Sequence, residues 1–418
     1  MIPVVRHGIV LLLLPAFALA NDVAGAVQSY RDFEAPPHNY RIRQPQDRFT
    51  LRKEDLKRDP RLDRSSEKAF LVSFLKILDI PVSSQLLVFS TTSLQLRFIS
   101  PSNPRAIYFS EDIYVGYIPG GRLEVVGIDP ELGAIFYIFD IPRESDAILY
   151  ERSDRCMNCH AGEDTGYIPG LVAKSVIPGP GGGSLDAFRI VQSGHGISLS
   201  DRFGGWHVTG TFNLTNHWGN LTGRFVEGSL RTFPNMPGSR FDFGKYAAQT
   251  SDILAHLLHE HQVGFVNRAV EAGYRARTAL FLSDGKLTPA QSQELDGQAD
   301  ILTRYLLFAD EAPLPPGGIK PDSACQEDFL ANRRRDAEGA SLKDLDLETR
   351  MFKYRCSYMI YSPAFQGLPS VLKVRIYSLM KKALSADGAS GFAYLATSEK
   401  RTIRGILKAT LDDLPASW

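Results

Sequence analysis

The chain is most informative first in what it has little of. Cysteine occurs only four times in 418 residues, too few for the disulfide framework that holds small secreted domains together. No sign of charge is in excess, with 47 basic residues against 47 acidic ones. No basic stripe exists either, which excludes a nucleic-acid partner bound along a cationic surface. The densest charged stretch, 41–68, mixes both signs and reads as solvated surface. Beyond the first twenty residues, no apolar run approaches the roughly 20 residues that cross a bilayer. A phosphate-cradling glycine loop, a nucleotide fingerprint and a Ser/His/Asp order are missing too, as are internal repeats and low-complexity segments.

What is present begins at the N-terminus. A basic opening at Arg6, an apolar run over 9–14 and Ala18-Leu19-Ala20 ahead of Asn21-Asp22 have the form of a secretory signal with an A-x-A cleavage site. No cysteine stands there to take a lipid. Export to the periplasm is expected, with 1–20 as the signal and no transmembrane segment after cleavage. The remaining length allows two or more packed units.

Apolar residues recur at helical spacing over 67–78, and Pro81 ends that element. The period then changes. Short aromatic or β-branched runs at 86–89, 94–99, 106–109, 123–126 and 134–139, punctuated by Asn, Pro, Gly and Asp, predict strands of a mostly antiparallel sheet. Residues 178–183, all Pro and Gly, predict a loop. Alternation over 206–214 predicts a half-buried strand with Trp206, Val208, Phe212 and Leu214 on one face and an exposed His207 on the other. A turn at 217–220 leads into 221–226. From Ser251 the period is helical: Ser251-Asp252 can cap a helix whose apolar stripe holds Leu254, Leu257, Leu258, His261 and Phe265. Further helices are expected at 289–308, 341–361, 370–386 and 403–411, with a Pro/Gly break at 313–318. The expected fold class is α+β, an antiparallel β-rich N-terminal half packed with a mainly helical C-terminal half. Its divisions are a polar lead-in and helix at 21–80, a β-rich region at 81–245 and a helical region at 246–418, the last two being either separate units or one interlocked domain.

The β-rich region carries Cys156-Met157-Asn158-Cys159-His160. Cysteines three apart on a helical turn lie on one side of it, so both thiols reach one edge of a porphyrin, and the next imidazole is placed to hold the iron. Cys-x-x-Cys-His reads as c-type haem attachment. The expectation is one covalent haem c on Cys156 and Cys159, with His160 as proximal ligand. A redox-active Cys-x-x-Cys would open a helix in a thioredoxin-like βαβ unit, whereas this motif follows an irregular stretch after a sheet. A zinc site would need two more good ligands, and Cys325 and Cys356 are not a second close pair. In an oxidising compartment those two could form one disulfide.

The second axial ligand decides what the iron can do: two strong protein ligands suit electron transfer, and an open position suits small molecules. Met157 lies inside the attachment loop and cannot cross to the far face. Met236, before Pro237 in a loop, is a candidate, while Met359 shares a helical stripe with Phe352 and Cys356 and reads as core. At about 100° per residue, His261 lies on the apolar face, with His256 and His259 on the opposite side. It is either a hydrogen-bonded core histidine or a pocket residue. His195 and His217 sit in glycine-containing loops, where functional groups gather.

The motif, the segments at 101–109 and 112–117, Gly204-Gly205-Trp206-His207-Val208-Thr209-Gly210-Thr211, His217-Trp218-Gly219-Asn220, Ser251-Asp252-Ile253, Glu260-His261-Gln262 and the segment 352–358 together resemble an uncharacterised family. Its members are large exported bacterial proteins with a single CxxCH. The resemblance spans 101–369 and implies a haem-binding, cytochrome-c-like protein with no assigned reaction. The family places a histidine after Gly-Thr where this chain has Phe212, so that position is no required iron ligand here. His217 and His261 match the pattern and rank above His195 and Met236. Cys325 lies outside the matched segments.

Electron transfer, or haem-based redox chemistry on an unknown substrate, is the first functional expectation. A haem-dependent oxidoreductase or small-ligand sensor with an open distal site is the alternative, since the extra structure can shape a pocket. A binding protein with purely structural haem is the third. The partner is accordingly a redox protein or a small molecule. Glu111 and Asp112, beside Tyr114, are of the right type for proton transfer, but carboxylates at a strand start are more often surface groups, and no catalytic role is assigned to them.

Overall fold

The computed structural model describes residues 33–418 apart from 92, 143–145, 189–192, 215 and 387–389. The expected signal at 1–20 lies outside them. Asp47 and Ser66 start helices α1 (Arg48–Leu56) and α2 (Glu67–Ile77) by accepting from the Thr50 and Ala69 amides, donors that a helix start leaves orphaned. Helix α1 is invisible in the apolar pattern because only Phe49, Thr50 and Leu56 are buried.

The strands are β1 (Leu86–Val88), β2 (Arg105–Phe109), β3 (Ile113–Tyr117), β4 (Leu123–Asp129), β5 (Gly133–Phe139), β6 (Glu151–Arg152), β7 (Ser175–Pro178), β8 (Ser184–Phe188), β9 (Trp206–His207), β10 (Thr211–Phe212), β11 (Leu221–Val226), β12 (Ser229–Pro234) and β13 (Ile319–Lys320). Seven form one sheet in the order β6-β5-β4-β3-β2-β1-β9, every pairing antiparallel. The register sorts its side chains. Trp206, Arg105, Ile107, Phe109, Tyr114, Gly116, Glu124, Val126, Phe136 and Ile138 share one face. The other face packs under α1 and α2 through Phe49–Tyr137 and Phe74–Phe139, with ring centroids 5.0 and 5.6 Å apart.

Two strand expectations change. Residues 94–99 form a turn with a 3₁₀ segment at Leu96–Phe98, since β2 and β9 already occupy both edges of β1. The run 206–214 is broken at Gly210, φ +101°, so β9 joins the sheet while β10 pairs with β13. His207 is consequently not exposed: it is fully buried between Phe89 and Phe241.

Helix α3 (Met157–His160) is a single turn after β6. Helix α4 (Ile253–Leu282), 30 residues long, is capped by Asp252, which accepts from the Leu254 amide at 2.8 Å. Ser251 ties its start to the sheet by donating to the His207 carbonyl and accepting from the Leu87 amide. Helices α5 (Pro289–Leu306), α6 (Ser323–Ala331), α7 (Pro363–Gln366), α8 (Ser370–Ala383) and α9 (Thr397–Thr410) follow. Because α4 contacts α5, α6, α7 and α8 and also faces the sheet, it is buried around its circumference, and His256 and His259 are buried along with His261.

No helix forms over 341–361. Asp344 accepts from the Ser341 amide and Asp346 from those of Glu348 and Thr349, and such side-chain turns compete with helical hydrogen bonding. A 3₁₀ turn at Tyr358–Tyr361 is the only helical part of that segment. Met359 is buried core all the same, although the helix whose stripe suggested it is absent. One continuous hydrophobic cluster includes side chains of both the β-rich and the helical halves. Among the described residues no helix is long and apolar enough to cross a membrane.

Candidate functional site

After β6 the chain turns through a 3₁₀ segment, Asp154–Cys156, into α3. Met157 is buried and anchors the turn, Cys156 is half-buried and Cys159 is exposed. Burial pushes the Cys156 thiol above its ordinary range. The His160 ring packs on Phe136 with centroids 4.4 Å apart. Its Nδ1 lies 2.9 Å from the Gly170 carbonyl oxygen. A carbonyl only accepts, so Nδ1 carries the proton and Nε2 keeps its lone pair. Burial depresses the imidazole to about 4 against the opposing pull of the Gly170 bond, so it is neutral at pH 7. A neutral imidazole with one N–H tied to a carbonyl is the form in which histidine binds metals.

Two elements hold that carbonyl in place. Asn267 of α4 accepts from the Leu171 amide and donates to the Leu171 carbonyl, both at 2.8 Å. A Cβ on Gly170 would come within 2.6 Å of the Asn267 Oδ1, so glycine is required for this approach. On the other side, the Ala134 amide of β5 donates to the Pro169 carbonyl.

Beside the motif lies a cleft of about 680 Å³, lined by Leu94, Leu96, Phe98, Ile138, Arg97, Arg122 and Arg155. That is within the roughly 300–1,000 Å³ of cofactor pockets. Leu94 and Leu96 are 45% and 55% exposed to it and to solvent. Arg122 is shared between Asp140 and Glu151, while among the described residues Arg97 and Arg155 have no carboxylate partner. Gln95 joins this cleft to Glu124 by an Nε2–Oε1 hydrogen bond of 3.0 Å. Glu124 is close enough to raise the Cys156 thiol further and to oppose the depression of His160.

The expected distal candidates are not gathered here. His261 is fully buried with both nitrogens engaged, Nδ1 with His195 Nδ1 at 2.8 Å and Nε2 with Ser357 Oγ at 2.7 Å. His195 stacks on Tyr305 and Phe308 in the same cluster. Neither leaves His261 a free lone pair for iron. Ser357 Oγ is fully buried, so its contact with His261 gives no accessible nucleophile. His217 accepts from the Gly219 amide through Nδ1 and packs on Phe203 and Phe212, next to the β9 end of the sheet. Five strand spacings, roughly 24 Å, separate β9 from β5. Met236 is 55% exposed.

Sequence reasoning also misplaced His259, which it set away from the buried side of α4. It is 6% exposed and its ring touches Phe109, Tyr114 and Trp206, all on the sheet face that also carries Phe136. Helical phase put it opposite the apolar stripe, and no local signal revealed that a sheet lies there.

A second cleft, about 460 Å³, includes Glu111, Asp112, Cys325, Lys343 and Tyr358 in its lining. Asp112 is held by a two-pronged contact from Arg48, and Glu111 by Lys343. Both carboxylates are thus paired. Tyr114 donates to Gln262 Oε1, and Gln262 Nε2 donates to the Tyr358 hydroxyl, a chain from the neighbour of His259 to this cleft. Cys325 and Cys356 are buried and unpaired. Among the described residues no three His, Cys, Asp or Glu side chains are grouped to hold a metal ion. Comparison with family models, with curated proteins and with solved structures finds no match to this chain.

Proposed function

We propose that the chain is an exported, periplasmic monohaem c-type cytochrome-like protein whose work is electron transfer. Cys156 and Cys159 would carry the two thioether bonds and His160 the proximal iron bond. The observation that carries the reading is the His160–Gly170 hydrogen bond beside two unpaired cysteines: it fixes the tautomer and leaves Nε2 as donor. The adjoining cleft fits the same group, since apolar side chains suit a porphyrin, and Arg97 and Arg155, which have no acidic partner among the described residues, suit its carboxylates. When bound, haem would supply a one-electron couple. This chain's part is to hold the imidazole neutral, orient it through Gly170 and Asn267, and shield one side of the site with the sheet.

A second reading follows from the 460 Å³ cleft and its Tyr358–Gln262–Tyr114 chain, which suit a small-molecule substrate coupled to the haem by proton movement. The test of the main reading is production in a host that attaches c-type haem. The mature protein should stain for haem after denaturing electrophoresis and gain the mass of one haem, and replacement of both cysteines by alanine should abolish both signals. A wild-type protein without added haem mass sinks the reading. Turnover of a small molecule lost on Tyr358→Phe, with haem content intact, would favour the second.

A further inference from the structure

We propose that His259 is the second axial ligand of the haem iron, opposite His160; the inference rests on the haem reading above. The sheet register brings the two histidines to one face. His160 packs on Phe136 of β5, Phe136 pairs with Val126 of β4, and Val126 pairs with Tyr114 of β3, against which His259 packs. The supporting residues are therefore two strand spacings apart, roughly 10 Å. Between them on that face lie Ile107, Val126 and the ion-paired Arg105 and Glu124, all only partly buried.

Hydrogen bonding singles out His259 among the described histidines. His38 bonds Thr278, His256 bonds the His207 carbonyl, His195 and His261 bond each other, and His217 accepts from Gly219. His259 makes ring contacts only. No hydrogen bond within the described residues engages either His259 ring nitrogen, which leaves one free to hold a metal. His207 also lacks hydrogen bonds, but it points to the opposite face of the sheet and is sealed between Phe89 and Phe241. Helix α4 would then serve the site twice. Asn267, which fixes the His160 loop, lies eight residues and about 12 Å along the helix from His259.

The holoprotein carries the test. Wild type is expected to be low-spin by electron paramagnetic resonance and visible spectroscopy, and to take up no carbon monoxide when reduced. His259→Ala is expected to keep its haem mass, lose the low-spin signal, bind carbon monoxide, and regain low spin on addition of imidazole. His259→Met, which keeps a ligand at the position, is expected to stay low-spin with a raised reduction potential and carries the test if the alanine variant does not fold. His217→Ala and His261→Ala should leave the spin state unchanged. A haem-loaded wild type that is already high-spin, or a His259→Ala protein that stays low-spin and excludes carbon monoxide, overturns the assignment while leaving haem attachment intact. A wild type without covalent haem overturns the reading beneath it as well.

Discussion

Arg105 on β2 and Glu124 on β4 form an ion pair, Nη2 to Oε2 at 2.5 Å, across the intervening strand β3. They meet because Gly116 lies between them: a Cβ there would fall 2.6 Å from the Arg105 guanidinium. Burial alone would raise the Glu124 carboxyl, yet Arg105 with Ser93 and Gln95 brings it below its ordinary value. Both side chains are 16% exposed, and the pair sits on the face shared by His160 and His259.

Removing one partner leaves the other charge half-buried and alone. Arg105→Met or Glu124→Met should each lower the unfolding free energy by about 3 kcal/mol, while the double variant should lose less than the sum. Denaturant unfolding of all four proteins measures this; strict additivity would show that the pair is not coupled.

Asn267→Leu removes two hydrogen bonds that hold the Leu171 backbone. At about 1 kcal/mol each, the loss should be about 2 kcal/mol of stability. In the haem-loaded protein the same change should loosen the His160 anchor, seen as a mixed-spin spectrum; an unaltered spectrum would show that the Gly170 contact is held by other means.

Asp252 is fully buried, and burial pushes its carboxyl up to about 6, against the pull of the Asp322 and Leu254 amides. The folded group thus holds its proton more tightly than the unfolded one. Its favourable contribution is present below the ordinary carboxylate pKa and is lost as pH rises through about 6. By linkage, about two pKa units correspond to about 3 kcal/mol. The stability of wild type relative to Asp252→Asn should therefore fall between pH 4 and pH 7. A difference that is flat with pH, measured by denaturant unfolding, would rule this out.

Cys325 and Cys356 are buried and unpaired, and burial raises both thiols above their ordinary range. Native haem-loaded protein should react with no thiol reagent, and the denatured protein should release two reactive thiols without reduction. Finding none after denaturation would mean that a disulfide joins them.

The Cys-x-x-Cys-His turn is legible because its pattern is local: five consecutive residues specify two thiols and an imidazole on one turn. The antiparallel sheet and the Asp252 cap are legible for the same reason, since alternation and capping are short-range patterns. The strand at 94–99 and the helix at 341–361 are not, because β1 is already paired on both sides and aspartate side-chain turns override helix propensity.

What only the tertiary structure decided is which histidine of α4 packs on the sheet face that His160 also uses. Helical phase tells the two sides of α4 apart, but not what packs on each. His261 faces Ser357 and His195, whereas His259 faces Phe109, Tyr114 and Trp206. Those three rings come from strands joined only by backbone pairing, and a one-residue slip in register would turn them to the other face.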